Sequence, residues 1–322
     1  RDGDLEVVAA AGVVAHLDGG VRQAGADTVL DVLGAHGGPK EKAPPGVSNF
    51  AVVPSIDGRN DWTEALNGVE VVVHTAARVH VMREMVSNPA ADYNRINVEG
   101  TLHLARQAAE RGVKRFVFLS SIKVNGSRTP AGRPFTAEDV PEPDGPYGES
   151  KLQAEQGLKE IAAQTGLEVV IVRPVLVYGP GVKGNFRTLL RVIEKGIPLP
   201  VGSLRNKRSL VGLSNLVDFI SVCIRNPAAA GQVFLVSDGE DLSTPELLRR
   251  VGHAMGRPAR IFPFPETLLR AGARVVGRSD AVQRLADSLQ VDMAKNRELL
   301  GWEPRTSLDE ELRRTTAALR RG

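Results

Sequence analysis

Short apolar runs alternate with longer amphipathic segments over most of this chain, and this alternation limits the folds open to it. The apolar runs have the character of buried strands and lie at residues 50–53, 69–74, 113–119, 167–172 and 232–236. Between them, residues 93–111 and 147–165 have the spacing of helices that pack one face on a core. Parallel strands need such a crossover, so the pattern predicts βαβ units in an α/β fold.

The pattern changes after residue 178. Extended pieces become short and are broken by prolines, and residues 264–322 are mostly helical in pattern. We therefore predict a first domain over residues 1–178, to which residues 209–236 return, and a smaller, mostly helical region over residues 179–322.

Tyr147 and Lys151 are four residues apart in a predicted helix, so their side chains leave the same face. A phenol titrates near ~10, and a neighbouring ammonium favours the phenolate and lowers that pKa. A tyrosine tuned in this way can exchange a proton with a substrate hydroxyl group. The same spacing occurs by chance on exposed helix faces, so the pair alone leaves a catalytic and a structural interpretation open.

Small residues follow two of the predicted strands. Ser120 and Ser121 come after residues 113–119, where a serine can hydrogen-bond the substrate oxygen on which Tyr147 acts. Open α/β sheets bind ligands at the carboxyl ends of their strands.

The strand at residues 69–74 is followed by Thr75, Ala76 and Ala77. Small side chains at this position allow a ligand to approach the backbone. Tight packing against a helix explains them equally well, and the two interpretations are compatible.

Residues 1–46 lack the usual signature of a dinucleotide-binding turn. Such a turn carries three glycines, which serve the tight turn, the approach of the pyrophosphate and helix packing. In one register only Gly12 is a glycine, and Ala9 and Ala15 occupy the other two positions. Asp31 stands near the end of a predicted strand at residues 28–32, either as an acceptor for the adenosine ribose or as a surface aspartate.

Arg208 closes a run of cations that also contains Arg205 and Lys207. This run is either a solvated loop or a clamp on a substrate diphosphate, because guanidinium geometry matches that of phosphate.

Composition narrows the partners and the compartment. The formal net charge is only +3, with acids interspersed among the bases, which argues against a nucleic-acid partner. No apolar run approaches the roughly 20 residues that span a bilayer. The single cysteine, Cys223, excludes an internal disulfide and fits a reducing compartment. We predict a cytoplasmic protein without a metal, nucleic-acid or membrane partner.

Several short blocks together resemble the extended short-chain dehydrogenases/reductases, the family of nucleotide-sugar epimerases, dehydratases and reductases. In chain order the blocks are His74-Thr75-Ala76-Ala77, residues 97–101, Phe118-Leu119-Ser120-Ser121, residues 147–151, Arg173-Pro174, residues 178–181, residues 208–218 and residues 299–304. Each block alone is weak, whereas the ordered set is specific. The resemblance implies a Rossmann-type doubly wound parallel sheet with a smaller C-terminal substrate domain.

Two stretches narrow the resemblance. Residues 120–126 and 208–213 are similar to bacterial UDP-sugar 4-epimerases, and to 4-keto-reductases that make 6-deoxy-N-acetylhexosamines for surface polysaccharide. The family also implies a homodimer, formed through a four-helix bundle that includes the helix of Tyr147.

Carried over residue by residue, the resemblance makes Tyr147 the catalytic acid/base, Lys151 the holder of the nicotinamide ribose and Ser121 the substrate-binding serine. The further cofactor residues, for NAD or NADP, are Gly12, Asp31, Asp57, Thr75, Ala76, Ala77, Asn97, Pro174 and Val177. The further residues expected at the UDP-sugar are Ser120, Lys123, Tyr178, Asn185 and Arg208.

The chain departs from the family in its first residues. The three glycines are absent, and Ser55 stands where an aspartate usually precedes the adenine, with Asp57 nearby. We predict an NAD(P)-dependent enzyme acting at C4 of a UDP-hexose or UDP-N-acetylhexosamine, either a 4-epimerase or a 4-keto-reductase. The alternative is a non-catalytic nucleotide-sugar-binding protein that has lost its cofactor loop.

Overall fold

The computed structural model describes residues 12–15, 30–35, 52–53, 56–78, 89–182, 184–275, 277 and 279–319. The strands are β1 Gly12–Ala15, β2 Leu30–Ala35, β3 Val52–Val53, β4 Val71–His74, β5 Arg115–Leu119, β6 Glu168–Pro174, β7 Leu176–Tyr178, β8 Arg208–Gly212, β9 Val233–Val236 and β10 Asp241–Leu242. The helices are α1 Pro89–Tyr93, α2 Thr101–Glu110, α3 Gly145–Thr165, α4 Gly184–Glu194, α5 Leu213–Arg225, α6 Thr244–Ala254, α7 Glu266–Val275, α8 Ser279–Ala286, α9 Ala294–Leu300 and α10 Leu308–Leu319.

The described residues form two compact units. The first contains those up to Gly126, Val140–Arg173 and Cys223–Phe234, and the second contains Ser127–Asp139, Pro174–Val222 and those from Leu235 onward. The sequence placed the boundary at residue 178 and returned residues 209–236 to the first domain. The structure differs because β8 pairs with β7 and β10 in a separate three-stranded sheet, and so belongs to the second unit.

A seven-stranded sheet has the order β3-β2-β1-β4-β5-β6-β9. The pairs β2–β3, β4–β5 and β5–β6 are parallel. Strands β2 and β3 lie on one side of β1, and β4, β5 and β6 lie on its other side. The strand order therefore reverses between β1 and β4. This arrangement, with helices between parallel strands, confirms the predicted Rossmann-type α/β fold.

The strand β1 is the exception to the parallel arrangement. It runs antiparallel to both neighbours, and Val14 lies opposite Asp31 of β2 and Val72 of β4. Because β2 and β4 both oppose β1, they run parallel to each other. Among β1 to β6, β1 alone is therefore reversed.

Two predicted cofactor residues lie in these strands and are corrected by them. Gly12 begins β1 instead of forming a turn after a strand, so it is not the glycine of a dinucleotide-binding turn. Asp31 is the second residue of β2, which continues to Ala35. It therefore stands near the amino end of its strand, away from the carboxyl edge at which ligands bind. The strand predicted at residues 5–8 lies outside the described residues.

The apolar core of the first unit explains why the central strands were recognisable in the sequence. Phe116 and Phe118 of β5 are fully buried in one cluster with Leu158 of α3 and Ile171 of β6. Strands covered on both faces read as continuous apolar runs. Each such side chain contributes about 1.5–3 kcal/mol through burial.

The second unit has its own apolar core. Leu190 of α4, Leu210 of β8, Leu248 of α6 and Leu312 of α10 are all buried in it. The Ser243 hydroxyl caps α6, and Glu246 completes a capping box. None of the described helices is long and apolar enough to cross a membrane.

Candidate active site

The helix that carries Tyr147, α3, packs closely on the loop after β5. It begins at Gly145, whose φ of +71° suits glycine, and Pro146 occupies its first turn. A Cβ on Gly148 would be 2.7 Å from the carbonyl oxygen of Lys123. This close approach sets the start of α3 beside the segment that contains Ser121.

Ser121 and Tyr147 meet across this contact. The Ser121 hydroxyl hydrogen-bonds the Tyr147 phenol, which by itself lowers the phenol pKa. The same oxygen accepts a hydrogen bond of 3.2 Å from the Lys123 backbone N–H and so caps the turn Ile122–Val124. The two predicted catalytic hydroxyls are therefore brought together.

The sequence predicted a lowered pKa for Tyr147, and the structure gives a raised one. Desolvation raises the pKa of Tyr147 to about 12 and outweighs the Ser121 hydrogen bond. The prediction of a lowered pKa is wrong for the protein without ligands, because spacing along a helix does not report how far a phenol is withdrawn from water.

Lys151 lies one turn further along the same face, as predicted, and is 2% exposed. Its Nζ donates a hydrogen bond of 2.9 Å to the Leu119 carbonyl and lies 4.5 Å from the centre of the Phe118 ring. Desolvation lowers the pKa of Lys151 to about 7, and the Glu155 carboxylate acts in the opposite direction. The amine is thus poised between its charged and neutral forms near neutral pH.

A second basic group near Lys151 stays neutral. His74, at the end of β4, is buried, and its Nε2 lies 2.9 Å from the Thr101 hydroxyl. Its ring lies 5.9 Å from the Phe118 ring, with the two planes nearly parallel. Burial first, and the charge of Lys151 second, lower the pKa of His74 to about 3.

Asn97 is a brace: its side chain links Arg78, in the segment after β4, to the start of α3. Its side chain accepts from the Arg78 backbone N–H at 2.8 Å and donates to the Arg78 carbonyl at 3.0 Å. The Nδ2 also donates to the Ser150 hydroxyl at 3.0 Å, and that hydroxyl donates to the Tyr147 carbonyl. The amide is engaged by protein groups, which gives Asn97 a positioning role, and its predicted cofactor contact stays a prediction.

The two adjacent serines differ in orientation. Ser120 is buried, and its hydroxyl donates to the Glu155 Oε1 at 2.5 Å. The predicted substrate contact of Ser120 is corrected by this bond. In extended backbone, neighbouring side chains point in opposite directions, so only Ser121 is directed toward Tyr147.

The remaining residues of the first unit are placed as follows. Thr75, Ala76 and Ala77 follow β4 at its carboxyl end, and the two alanines are buried. Asp57 accepts from the Arg59 backbone N–H and pairs with Arg95 at 3.1 Å. Lys123 pairs with Asp144 at 2.8 Å; the Lys123 side chain is half-buried and that of Asp144 is exposed.

The other predicted residues lie in the second unit. The Tyr178 hydroxyl donates to Asp238 at 2.8 Å inside a buried cluster, which corrects the predicted substrate contact of Tyr178. Burial and this carboxylate raise the pKa of Tyr178. The Arg208 Nη1 donates to the carbonyls of Arg284 and Asp287, both at 3.1 Å. Pro174 ends β6, Val177 lies in β7 and Asn185 is exposed in the first turn of α4.

Sequence reasoning assigned no role to Glu155 or Arg173. They form an ion pair of 2.5 Å, with side chains 1% and 3% exposed. The available signal was the spacing of Tyr147, Lys151 and Glu155, which repeats every four residues on one helix face. Among the described residues, no group of three or more His, Cys, Asp or Glu side chains is arranged to hold a metal ion.

Comparison with known proteins agrees with this fold and identifies the family. Residues 34–237 match the family model described as NAD dependent epimerase/dehydratase family. A UDP-glucose 4-epimerase of Vibrio cholerae is 48% identical over 267 residues, which is 83% of this chain and 81% of that protein. The N-acetyl-α-D-glucosaminyl-diphospho-ditrans,octacis-undecaprenol 4-epimerase of Escherichia coli O157:H7 is 33% identical over 211 residues, 64% of this chain and 61% of that protein.

Solved structures share the fold. The UDP-glucose 4-epimerase of Thermotoga maritima with UDP-glucose has a TM-score of 0.69 and 22% identity, covering 90% of this chain and 91% of that one. The UDP-glucuronic acid 4-epimerase of Bacillus cereus with NAD has a TM-score of 0.68 and 19% identity, covering 85% and 82%. The doubly wound parallel sheet and the family match place the chain in the class of short-chain dehydrogenases/reductases. Within it, the chain belongs to the NAD dependent epimerase/dehydratase family.

The residues at the carboxyl edge of the sheet fit the nicotinamide end of a dinucleotide. The Lys151 ammonium donates one of its three hydrogens to Leu119, and its other two hydrogens have no hydrogen-bond acceptor among the described residues. The side chains of Ala76 and Ala77 end at Cβ, so they leave room for the nicotinamide ring close to the backbone. Gly12 and Asp31 do not fit the adenosine end of the dinucleotide. Gly12 begins a strand instead of forming a turn, and Asp31 lies near the amino end of its strand.

Proposed function

We propose that this chain is a UDP-sugar 4-epimerase that uses NAD or NADP and interconverts UDP-glucose and UDP-galactose. The observation that carries the proposal is the convergence of Ser121, Tyr147 and Lys151 in one unit, at the carboxyl edge of the sheet. The 48% identity to the Vibrio cholerae UDP-glucose 4-epimerase supports the choice of reaction and of sugar.

When bound, a nicotinamide dinucleotide supplies an acceptor, and later a donor, for the hydride at C4 of the sugar. In our proposal Tyr147 takes the proton from the C4 hydroxyl and returns it to the C4 oxygen in the second half-reaction. Ser121 hydrogen-bonds that oxygen and keeps it in reach of the phenol. Asn97 holds the start of α3 in place through Ser150.

The proton transfer requires help from a positive charge. With a pKa of about 12, only about one Tyr147 in 10⁵ is a phenolate at pH 7. A cation close to the phenol favours the phenolate. We assign this role to the Lys151 ammonium, which the proposal also places on the nicotinamide ribose.

The same residues would serve a 4-keto-reductase, in which the hydride is transferred once and the cofactor leaves in its oxidised form. An epimerase needs no net reductant and retains its cofactor between turnovers. Action on a UDP-N-acetylhexosamine, supply of surface polysaccharide, the cytoplasmic location and a homodimer remain predictions.

The test is incubation of the protein with UDP-glucose, UDP-galactose or UDP-N-acetylglucosamine, with and without added NAD, and separation of the C4 epimers by chromatography. We expect the wild type to approach the same product ratio from either hexose. Tyr147→Phe should lower turnover by about 10²- to 10⁴-fold while UDP-glucose still binds. Tyr93→Phe is the matched control, since Tyr93 contacts the Tyr147 ring edge-on at 6.1 Å but has no proposed part in proton transfer.

A full rate from Tyr147→Phe would overturn the assignment. Consumption of NAD(P)H with a 4-keto sugar, but no epimerisation of either hexose, would identify the reductase instead. A second candidate is the non-catalytic UDP-sugar-binding protein, which the reversed β1 favours. That function predicts UDP-sugar binding with no dinucleotide binding and no turnover.

A further inference from the structure

A buried carboxylate stands one helical turn beyond Lys151 on α3. The Glu155 Oε1 accepts from the Ser120 hydroxyl at 2.5 Å and from the Arg173 Nε at 2.9 Å, and the Oε2 accepts from the Arg173 Nη2 at 2.5 Å. The Arg173 Nη1 donates to the Asn125 side chain at 2.9 Å. The pair therefore ties α3 to β6 and to two residues of the segment after β5, Ser120 and Asn125.

Ser120, which Glu155 holds, lies between two residues of the site. Ser120 stands between Leu119, whose carbonyl accepts from the Lys151 ammonium, and Ser121, whose hydroxyl meets Tyr147. The Ser120 backbone N–H is fixed as well, since it donates to the Val172 carbonyl at 2.7 Å. A loosened Ser120 would displace the Lys151 acceptor and the Ser121 hydroxyl together.

Glu155 also acts on Lys151 through its charge. The charged and titratable groups near the Lys151 amine are Tyr147 and Glu155 on its own helix and the buried His74 on β4, while β5 contributes the Leu119 carbonyl and the Phe118 ring. Arg173 of β6 pairs with Glu155. His74 is neutral, so Glu155 is the negative charge that favours the Lys151 ammonium. Its effect opposes the desolvation that lowers the pKa of Lys151.

We infer that Glu155, held by Arg173, is a positioning residue of the reaction: it fixes the Leu119–Ser121 segment and places a negative charge one helical turn from Lys151. This inference rests on the proposed function, because the reaction it serves is the proton transfer at Tyr147. Glu155 acts through Ser120 and Lys151 and does not itself contact the substrate.

The first test separates charge from geometry by measuring Lys151 directly. Protein labelled with [13Cε]lysine is titrated by NMR, and the Lys151 signal is assigned by its loss in Lys151→Met. In Glu155→Gln we expect the pKa of Lys151 to fall below about 7 by roughly one unit or more, since the carboxylate that favours the Lys151 ammonium is then lost. The alkaline limb of the pH–kcat profile should move in the same direction.

The matched control is Glu168→Gln. Glu168 also pairs with a buried arginine, Arg115, at 2.5 Å, but at the amino end of β6. We expect the Lys151 titration and the pH profile to be unchanged in this variant. A Lys151 pKa that is the same in Glu155→Gln as in the wild type would overturn the electrostatic half of the inference.

Two further variants test the geometric half. Glu155→Asp keeps the charge but withdraws the carboxylate by one methylene, so the pKa of Lys151 should stay near the wild-type value while kcat falls about tenfold. If Glu155→Gln does not fold, Glu155→Leu combined with Arg173→Met removes both buried charges at similar volume, a change that proteins often tolerate. Its kcat should fall by a similar factor with little change in KM.

Full kcat in the double variant would overturn the geometric half of the inference. The NMR titration needs no turnover, so it decides the role of Glu155 toward Lys151 even if the wild type converts none of the sugars. Absence of wild-type turnover would count against the proposed function alone.

Discussion

Lys151 donates a hydrogen bond of 2.9 Å from its buried ammonium to the backbone carbonyl of Leu119, the last residue of β5. The interaction joins the helix of the proposed acid/base to the strand that presents Ser121. It also places a cation in a desolvated position, where its proton is held weakly.

Lys151 should make the protein without ligands more stable as the pH rises. Its pKa is about 7 in the folded state against 10.5 for an unperturbed lysine, so the unfolded chain binds more protons between these pH values. The cost of burying the ammonium is fully present below pH 7 and is relieved as the pH approaches 10.5. It amounts to roughly 4–5 kcal/mol at pH 7, an order-of-magnitude figure.

We therefore expect Lys151→Met to raise the free energy of unfolding measured in urea. The gain over the wild type should be about 2–3 kcal/mol smaller at pH 9 than at pH 7. Lys114→Met is the control, because Lys114 is exposed and pairs with Glu70 at the surface. An equal gain at both pH values would show that the ammonium is not held in a desolvated site.

Asn97→Ala should damage both stability and turnover. The substitution leaves the buried Arg78 backbone groups and the Ser150 hydroxyl without their partner. Unpaired buried polar groups of this kind cost about 1–3 kcal/mol each, so we expect a loss of roughly 2–4 kcal/mol in urea unfolding. The rate should fall about tenfold or more, because the brace sets the position of Tyr147.

Asn94→Ala provides the comparison. Asn94 lies in the same helical segment and donates to Glu99, but at the exposed surface. Its loss should cost less than about 0.5 kcal/mol. Equal effects of the two substitutions would argue against the brace.

The central strands and the catalytic helix were predictable because their signals are local. Strand β5 lies within the run predicted at residues 113–119, and α3 covers residues 147–165. Burial on both faces leaves continuous apolar runs, and a helix fixes the relation of Tyr147 to Lys151. These features depend on the order of residues and not on distant contacts.

The reversal of β1 and the titration of the site were not predictable in the same way. The sequence of residues 12–15 does not determine whether they pair parallel or antiparallel with β2 and β4, because the direction of pairing depends on the path of the connecting segments. The pKa of Tyr147 depends on how much water surrounds the phenol, which becomes known only with the tertiary structure. The difference between Ser120 and Ser121, by contrast, follows from the alternation of side chains in extended backbone.

Gly100→Ala should destabilise the first unit. A Cβ at this position would lie 1.8 Å from the backbone oxygen of Ile56, so helix and loop must separate. We expect a loss of about 3 kcal/mol or more in the free energy of unfolding. Gly272→Ala is the matched control, since Gly272 is also helical and nothing lies within 4 Å of its added Cβ. That variant should be neutral or stabilised by up to about 1 kcal/mol, and a Gly100→Ala protein that behaves like it would contradict the close approach.

Dinucleotide binding should depend on the carboxyl end of β4 and not on Gly12. Gly12 lies inside the reversed β1, where an alanine fits a strand, so Gly12→Ala should leave the affinity for NADH and NADPH within about twofold. Ala77→Val adds two methyl groups where the proposal brings the ring close to the backbone, and we expect it to weaken binding about tenfold or more. The measurement is a titration followed by nicotinamide fluorescence, with mass spectrometry of the purified protein for retained dinucleotide. Loss of binding in Gly12→Ala would restore the glycine-turn interpretation of residues 9–15. Failure of the wild type to bind either dinucleotide would favour the non-catalytic UDP-sugar-binding function, because Tyr147 and Lys151 then have no hydride acceptor to serve.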